Sequence, residues 1–276
     1  MFAFRAFALV IVDSGTAFTK DNGMSSTEPS QPKSSRVRDV YTWALGFPLA
    51  MTGAVTITGV QLATGFRARK LCANTILPVF AKSCLSLMDI KFVVHGRENI
   101  PSGQAVYISN HPSFLDLFLM ASLKLPNLRS FLSEDVLKYI PIAVIGKALG
   151  YFFTPDQTDR NRRVECFQNA ASVLRETGDS IFVTPQGERR GHEIGHFNKG
   201  AFHLAMDLRA PLVPIFIETP KSMNPGMDIT AIPGTVHIYI DPPVDTSTWT
   251  IEGLDGYPRA FERKYEAFPE GWSVGP

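Results

Sequence analysis

Residues 105–123 decide the fold. Ala105-Val106-Tyr107-Ile108-Ser109 is a β-favouring run, Asn110-His111-Pro112 interrupts it, and Ser113-Phe114-Leu115-Asp116 opens an apolar stretch that ends at Leu123. A strand that passes through a short break into a helix is the building step of α/β proteins. The step recurs along the chain. Phe92–His95, Ser180–Thr184, Leu212–Ile217 and Val236–Ile240 read as further strands, and Phe114–Leu123, Asp159–Thr177, Phe197–Leu208 and Tyr257–Phe268 as helices. Val164, Phe167, Ala171 and Leu174 fall three and four apart, which makes one apolar stripe for covering a sheet. The expectation is an α/β domain over residues 91–276, a central sheet flanked by helices.

The front of the chain is chemically different. Residues 1–90 carry a net charge of +4 and residues 91–276 a net of −3, within a total of 276 residues and +1. Near-neutrality argues against a nucleic-acid partner held by bulk charge. Hydrophobic residues make up 45% and charged residues only 19%, below the roughly 25% of soluble domains, so part of the chain is expected at a membrane. Met1–Val12 resembles a short signal-like run, and residues 1–38 as a whole read as a flexible tail. Tyr41–Phe66 then holds 26 residues without a charge, between Arg36 and Arg38 on one side and Arg67, Arg69 and Lys70 on the other. As a helix it would extend about 39 Å at ~1.5 Å per residue, enough for a ~30 Å hydrocarbon core. Basic residues at both ends fit a re-entrant or interfacial placement as well as a span. Leu71–Ile90 reads as an amphipathic helical partner, so residues 39–90 are expected to form a membrane-associated hairpin. Cys72, Cys84 and Cys166 are widely spaced with no C-x-x-C pair, and read as reduced thiols.

Sites in open α/β sheets form beyond the carboxyl ends of strands, which is where His111 stands. Asp116 is five residues on, about 140° around a helix at ~100° per residue, so the two cannot share a helical face. His111 must lie in the loop and fold back toward Asp116 in the first helical turn, where the carboxylate would orient the imidazole as a base. A second strand end, Ser180–Thr184, runs into Pro185-Gln186-Gly187-Glu188-Arg189-Arg190-Gly191. Gly187 permits close backbone approach and Arg189 offers a planar fork suited to a phosphate. His192-Glu193-Ile194-Gly195-His196 spells a zinc motif, but its glycines make a poor metal-binding helix, and no metal is expected. Gly271-Trp272-Ser273-Val274-Gly275 spells a nucleophile elbow with no helix left to complete it.

The order of these pieces resembles the glycerolipid acyltransferases, the 1-acylglycerol-3-phosphate acyltransferase family. Asn110-His111-Pro112-Ser113-Phe114-Leu115-Asp116 resembles its H-x-x-x-x-D motif and Thr184-Pro185-Gln186-Gly187-Glu188-Arg189 its F-P-E-G-T-R motif. Phe197-Asn198-Lys199-Gly200-Ala201 is similar to its F-K-x-G-A segment, and Pro211-Leu212-Val213-Pro214-Ile215 to its proline-flanked strand. Gln186 stands where the family has Glu, Glu188 where it has Thr and Thr184 where it has Phe; Gly150-Tyr151-Phe152-Phe153 echoes a further acceptor motif only loosely.

The resemblance implies a mixed central sheet and transfer of an acyl group from acyl-CoA or acyl carrier protein to the hydroxyl of a lysophospholipid. The foremost acceptor is 1-acylglycerol-3-phosphate, giving phosphatidic acid. His111 would be the base, Asp116 its orienter, and Gln186, Gly187, Glu188, Arg189 and Lys199 the substrate-binding group. The thioester is already activated, so no cofactor is implied beyond the donor itself. Membrane lipid is the expected partner, with the catalytic domain on the cytoplasmic face. The rival readings are a hydrolase using Ser113 and an inactive lipid-binding relative.

Overall fold

Strand β2, Val106–Ser109, is buried along its whole length and sits fourth of seven in a sheet ordered β1-β7-β6-β2-β5-β3-β4 among the described residues. The structure, a computed structural model, describes residues 36–189, 193–220, 223 and 232–268. The described residues fall within one compact unit, Lys33–Pro276. The expectations for the signal-like run, Arg190, His192 and Gly271–Gly275 lie outside the described residues.

The strands are β1 Ile90–His95, β2, β3 Arg129–Ser133, β4 Phe152–Thr154, β5 Ile181–Val183, β6 Leu212–Glu218 and β7 Gly234–Ile240. Every pairing is parallel except β6 with β7, so the sheet is mixed, as expected. Both faces are covered, which explains the continuous apolar runs read in the sequence. Tyr107 of β2 joins Leu119, Leu123 and Val213 on one face, while Val106 and Ile108 join Leu174, Phe202 and Leu204 on the other.

The helices are α1 Arg36–Ala63, α2 Leu77–Leu87, α3 Leu115–Ser122, α4 Ile140–Ala148, α5 Arg160–Thr177, α6 Gly200–Leu208 and α7 Gly256–Glu266. β3, β4 and α4 are additions to the sequence reading. α6 begins at Gly200 rather than Phe197, and the Asn198 N–H ahead of it donates to the Pro185 carbonyl at 2.8 Å. The stripe on α5 buries Ala171 and Leu174 together with Ala170, but Val164 is 49% exposed.

Residues 36–87 form a helical hairpin. Gly65 and Phe66 both take left-handed conformations and end α1, and the chain returns through Arg69–Leu71 and a π-helical turn, Cys72–Ile76, into α2. Gly53 lets the two limbs meet, since a Cβ there would stand 2.9 Å from the Phe80 ring. Polar bonds fasten the hairpin to the rest of the fold. Gln61 Nε2 donates to the Ala148 carbonyl at 2.7 Å, and Asn74 exchanges two bonds with Asn127, at 3.0 and 2.9 Å. Asp179, fully buried, pairs with Arg69 of the hairpin and with Arg129 of β3.

Candidate active site

β2 and β5 are parallel and in register, Val106 opposite Ile181 and Ile108 opposite Val183. The loops that follow them therefore leave the same edge of the sheet side by side. This adjacency brings the two sequence motifs together.

The loop after β2 is held residue by residue. Asn110 donates through Nδ2 to the Ile217 carbonyl at 2.9 Å and accepts the Ile217 N–H at 2.8 Å, which pins the loop to β6. The His111 N–H donates to Gln186 Oε1 at 2.9 Å. Pro112 keeps the chain from continuing as strand or helix. Ser113 Oγ accepts the Leu115 N–H at 3.1 Å, just ahead of α3.

Asp116 lies in that first turn, 1% exposed, and accepts three bonds. His111 Nδ1 donates to Oδ2 at 2.7 Å, the Ser113 N–H to Oδ2 at 3.2 Å, and the Ser113 hydroxyl to Oδ1 at 3.2 Å. Occupying Nδ1 in this way fixes the imidazole plane and leaves Nε2 for a reacting group. The Ser113 hydroxyl is buried and its proton is spent on Asp116, so it is not poised as a nucleophile toward His111.

The loop after β5 carries the second motif. Gly187 takes φ +73°, with the side-chain amides of Gln157 and Asn198 packed where a Cβ would be. Asn198 Nδ2 donates to the Pro185 carbonyl at 2.9 Å. Glu188 accepts from Gln157 Nε2 at 3.5 Å. The Arg189 guanidinium lies 5.9 Å from the Phe114 ring centroid, which places a cation beside the residue that leads into α3.

His111, Asp116, Gly187, Glu188 and Arg189 share one cavity of about 490 Å³, within the range of ligand pockets. Its lining is mostly apolar and extends to Ala50, Phe80 and Cys84 of the hairpin. Lys138 and Arg163 also line it; the sequence reading missed both, because neither lies near the two motifs in sequence and Arg163 sits in the basic run Arg160-Asn161-Arg162-Arg163 at the start of a helix. Two expected members are placed elsewhere. Gln186 is 4% exposed with both ends of its amide bonded inside the protein, and Lys199 pairs with Asp255 away from the cavity. His196 is bonded to Glu262 of α7 at 2.9 Å. Cys166 is half-buried, its thiol donating to the Phe153 carbonyl at 3.5 Å, and burial raises its pKa.

Residues 91–218 match the family model described as Acyltransferase. The chain is 32% identical over 243 residues to the 1-acyl-sn-glycerol-3-phosphate acyltransferase LPAT1, chloroplastic, of Arabidopsis thaliana, covering 86% of this chain and 67% of that protein. It is 29% identical over 224 residues to BAT2, chloroplastic, of Brassica napus, a protein with the same enzyme description, covering 79% and 64%. The chain thus spans about two thirds of the length of these relatives. The crystal structure of the 1-acyl-sn-glycerophosphate acyltransferase PlsC of Thermotoga maritima shares the fold, with a TM-score of 0.65 at 22% identity over 85% of this chain and 98% of that one.

Proposed function

The chain belongs to the 1-acyl-sn-glycerol-3-phosphate acyltransferase family, and from that membership we propose that it moves a fatty acyl group from acyl-CoA or acyl carrier protein to a lysophospholipid hydroxyl. The foremost acceptor is 1-acylglycerol-3-phosphate, the substrate named for its relatives. One observation carries the reading: a His–Asp pair opens into the same apolar cavity that reaches the helical hairpin. An alcohol is a poor nucleophile at neutral pH and a long acyl chain needs an apolar bed; the cavity supplies a base and a bed together.

In the proposed reaction His111 Nε2 takes the acceptor's hydroxyl proton as the oxygen attacks the thioester carbonyl. The tetrahedral intermediate collapses with loss of the C–S bond, and the thiolate receives the proton back from His111. Ester and free thiol are the products, and Asp116 steadies the imidazolium between the two transfers. Arg189, with Lys138 and Arg163 on the same cavity, holds the acceptor's phosphate and so fixes its hydroxyl. The reaction consumes no cofactor.

We also place the protein at a membrane. α1 contains a stretch, Val40–Ala63, long and apolar enough to cross a bilayer, yet Gly53, Ala54, Ile57 and Gln61 are buried against other parts of the chain. Its outer face presents Val55 and Leu62, 65% and 64% exposed. A helix packed along several turns on one side and apolar on the other suits shallow insertion of the hairpin better than a span. The catalytic body then faces the aqueous compartment that supplies the acyl donor, the cytoplasm in the simplest arrangement.

The test is thiol release from a long-chain acyl-CoA in detergent, with and without lysophosphatidate. Acceptor-dependent release should fall at least about a hundredfold in His111→Ala, the lower range for loss of a general base. Acceptor-independent release would point instead to hydrolysis.

A further inference from the structure

Gln186 is the family departure that the structure explains in most detail. Its side chain is buried between the two motif loops. Oε1 accepts the His111 N–H at 2.9 Å, and Nε2 donates to the Glu193 carbonyl at 3.1 Å. The two contacts fix the amide orientation, because an N–H needs an oxygen and a carbonyl needs a donor. A carboxylate at this position can serve His111 but has nothing to give Glu193, and would set two oxygens against each other in a buried place.

We propose that Gln186 is a positioning residue for His111, and that its amide nitrogen is as necessary as its oxygen. The proposal rests on the acyl-transfer reading above, since His111 carries the reaction there. The loop from Asn110 to Ser113 is tied at three points: the Asn110 side chain to β6, the His111 N–H to Gln186, and Ser113 to Asp116. Only the middle tie acts on His111's own backbone. Its strength depends on Gln186 being held in turn, and the hold on the amide's far end is the Glu193 carbonyl. Asn198 steadies the same turn through the Pro185 carbonyl and, at 3.5 Å, that of Gln186. With the nitrogen bond gone, the side chain can move and His111 with it. A shift of about 1 Å in a reacting group can cost on the order of 10²-fold in rate.

The experiment compares wild type, Gln186→Glu and Gln186→Met, as the full chain in detergent at a pH above the usual carboxylate range. A long-chain acyl-CoA and lysophosphatidate are the substrates. Kinetics and peptide-level amide hydrogen exchange are both read. In both variants kcat should fall about 10- to 100-fold, with each KM within about twofold of wild type. Exchange at His111 should stay slow in Gln186→Glu and quicken in Gln186→Met, while the stretch around Asn198 should quicken in both.

A Gln186→Glu protein with wild-type kcat would overturn the need for the nitrogen. A change confined to the acceptor KM would make Gln186 a substrate ligand instead. Exchange at His111 unchanged in Gln186→Met would remove the tie itself. If wild type transfers no acyl group, the functional reading falls and the catalytic claim with it, while exchange still decides whether the bridge exists. If Gln186→Met fails to fold, Gln186→Glu alone still decides between a needed nitrogen and a substrate ligand, because it keeps shape and the His111 bond.

Discussion

Asp179→Asn should loosen the helical hairpin from the sheet. Asp179 is fully buried, and its carboxylate accepts from Arg69 Nη2 and, at 2.9 Å, from Arg129 Nε. The arginine side chains are only 12% and 10% exposed. Neutralising the acid therefore leaves two like charges facing each other with little water to screen them. Removing one member of a buried ion pair costs about 3–5 kcal/mol. Asparagine keeps one acceptor oxygen, and Arg129 keeps its 2.7 Å bond to the Gly150 carbonyl, so the lower end, about 3 kcal/mol, is expected. For a protein of this size, ~2–4 °C per kcal/mol converts that to a fall in Tm of roughly 6–12 °C. The assay is thermal unfolding in detergent, followed by tryptophan fluorescence, with Arg69→Met as the companion variant. Arg69→Met removes only the hairpin's share of the triad and leaves Arg129 paired, so its loss should be smaller. A Tm for Asp179→Asn within about 2 °C of wild type would show that the arginines find other partners and would refute the reasoning.

Ala50→Phe fills the hairpin end of the cavity, and should move preference toward shorter acyl-CoA chains without changing the acceptor KM; an unaltered chain-length profile would remove that end of the cavity from acyl binding. Gly187→Ala forces a Cβ into a φ of +73° and to 2.7 Å from the Gln157 amide nitrogen, and should cost about 1–2 kcal/mol by thermal unfolding. Burial raises the Cys166 pKa, so the thiol holds its proton to higher pH than a free cysteine; iodoacetamide should label it slowly at pH 7.5 and faster as pH rises through 9, whereas rapid labelling at neutral pH would mark an activated nucleophile.

The parts that were legible in the sequence are those fixed by local chemistry. Ala105–Asp116 shows a strand, a break and a helix start in twelve residues, and the angle between positions 111 and 116 already requires the fold-back that gives the 2.7 Å bond. β3 escaped because Arg129 and Ser130, both buried, make its first half read as surface. Their burial makes sense only once Asp179 is known to face Arg129 across fifty residues of sequence. β4 is three residues long, too short for alternation to register. α4 contains Pro141 and Gly146 in a short apolar run that periodicity cannot assign. The pairing of Lys199 with Asp255 was hidden for a related reason, since Asp255 comes from a loop whose return to α6 has no local signal.

Gln186 shows the same limit at the centre of the site. In sequence it is a substitution within a substrate motif, and the natural inference is a lost charge near a phosphate. In the structure its amide bonds two backbone groups, at positions 111 and 193. A side chain that recognises backbone has no partner residue type to betray it, because every residue offers the same carbonyl and every residue but proline the same N–H. The departure from Glu therefore carries information about the path of the chain at Glu193 rather than about the ligand. A carbonyl presented to the motif turn selects an amide, and a free N–H presented there would select a carboxylate. The identity of residue 186 should follow the conformation of the segment behind the turn, and the Gln186→Glu exchange pattern tests that dependence without reference to which lysolipid is bound.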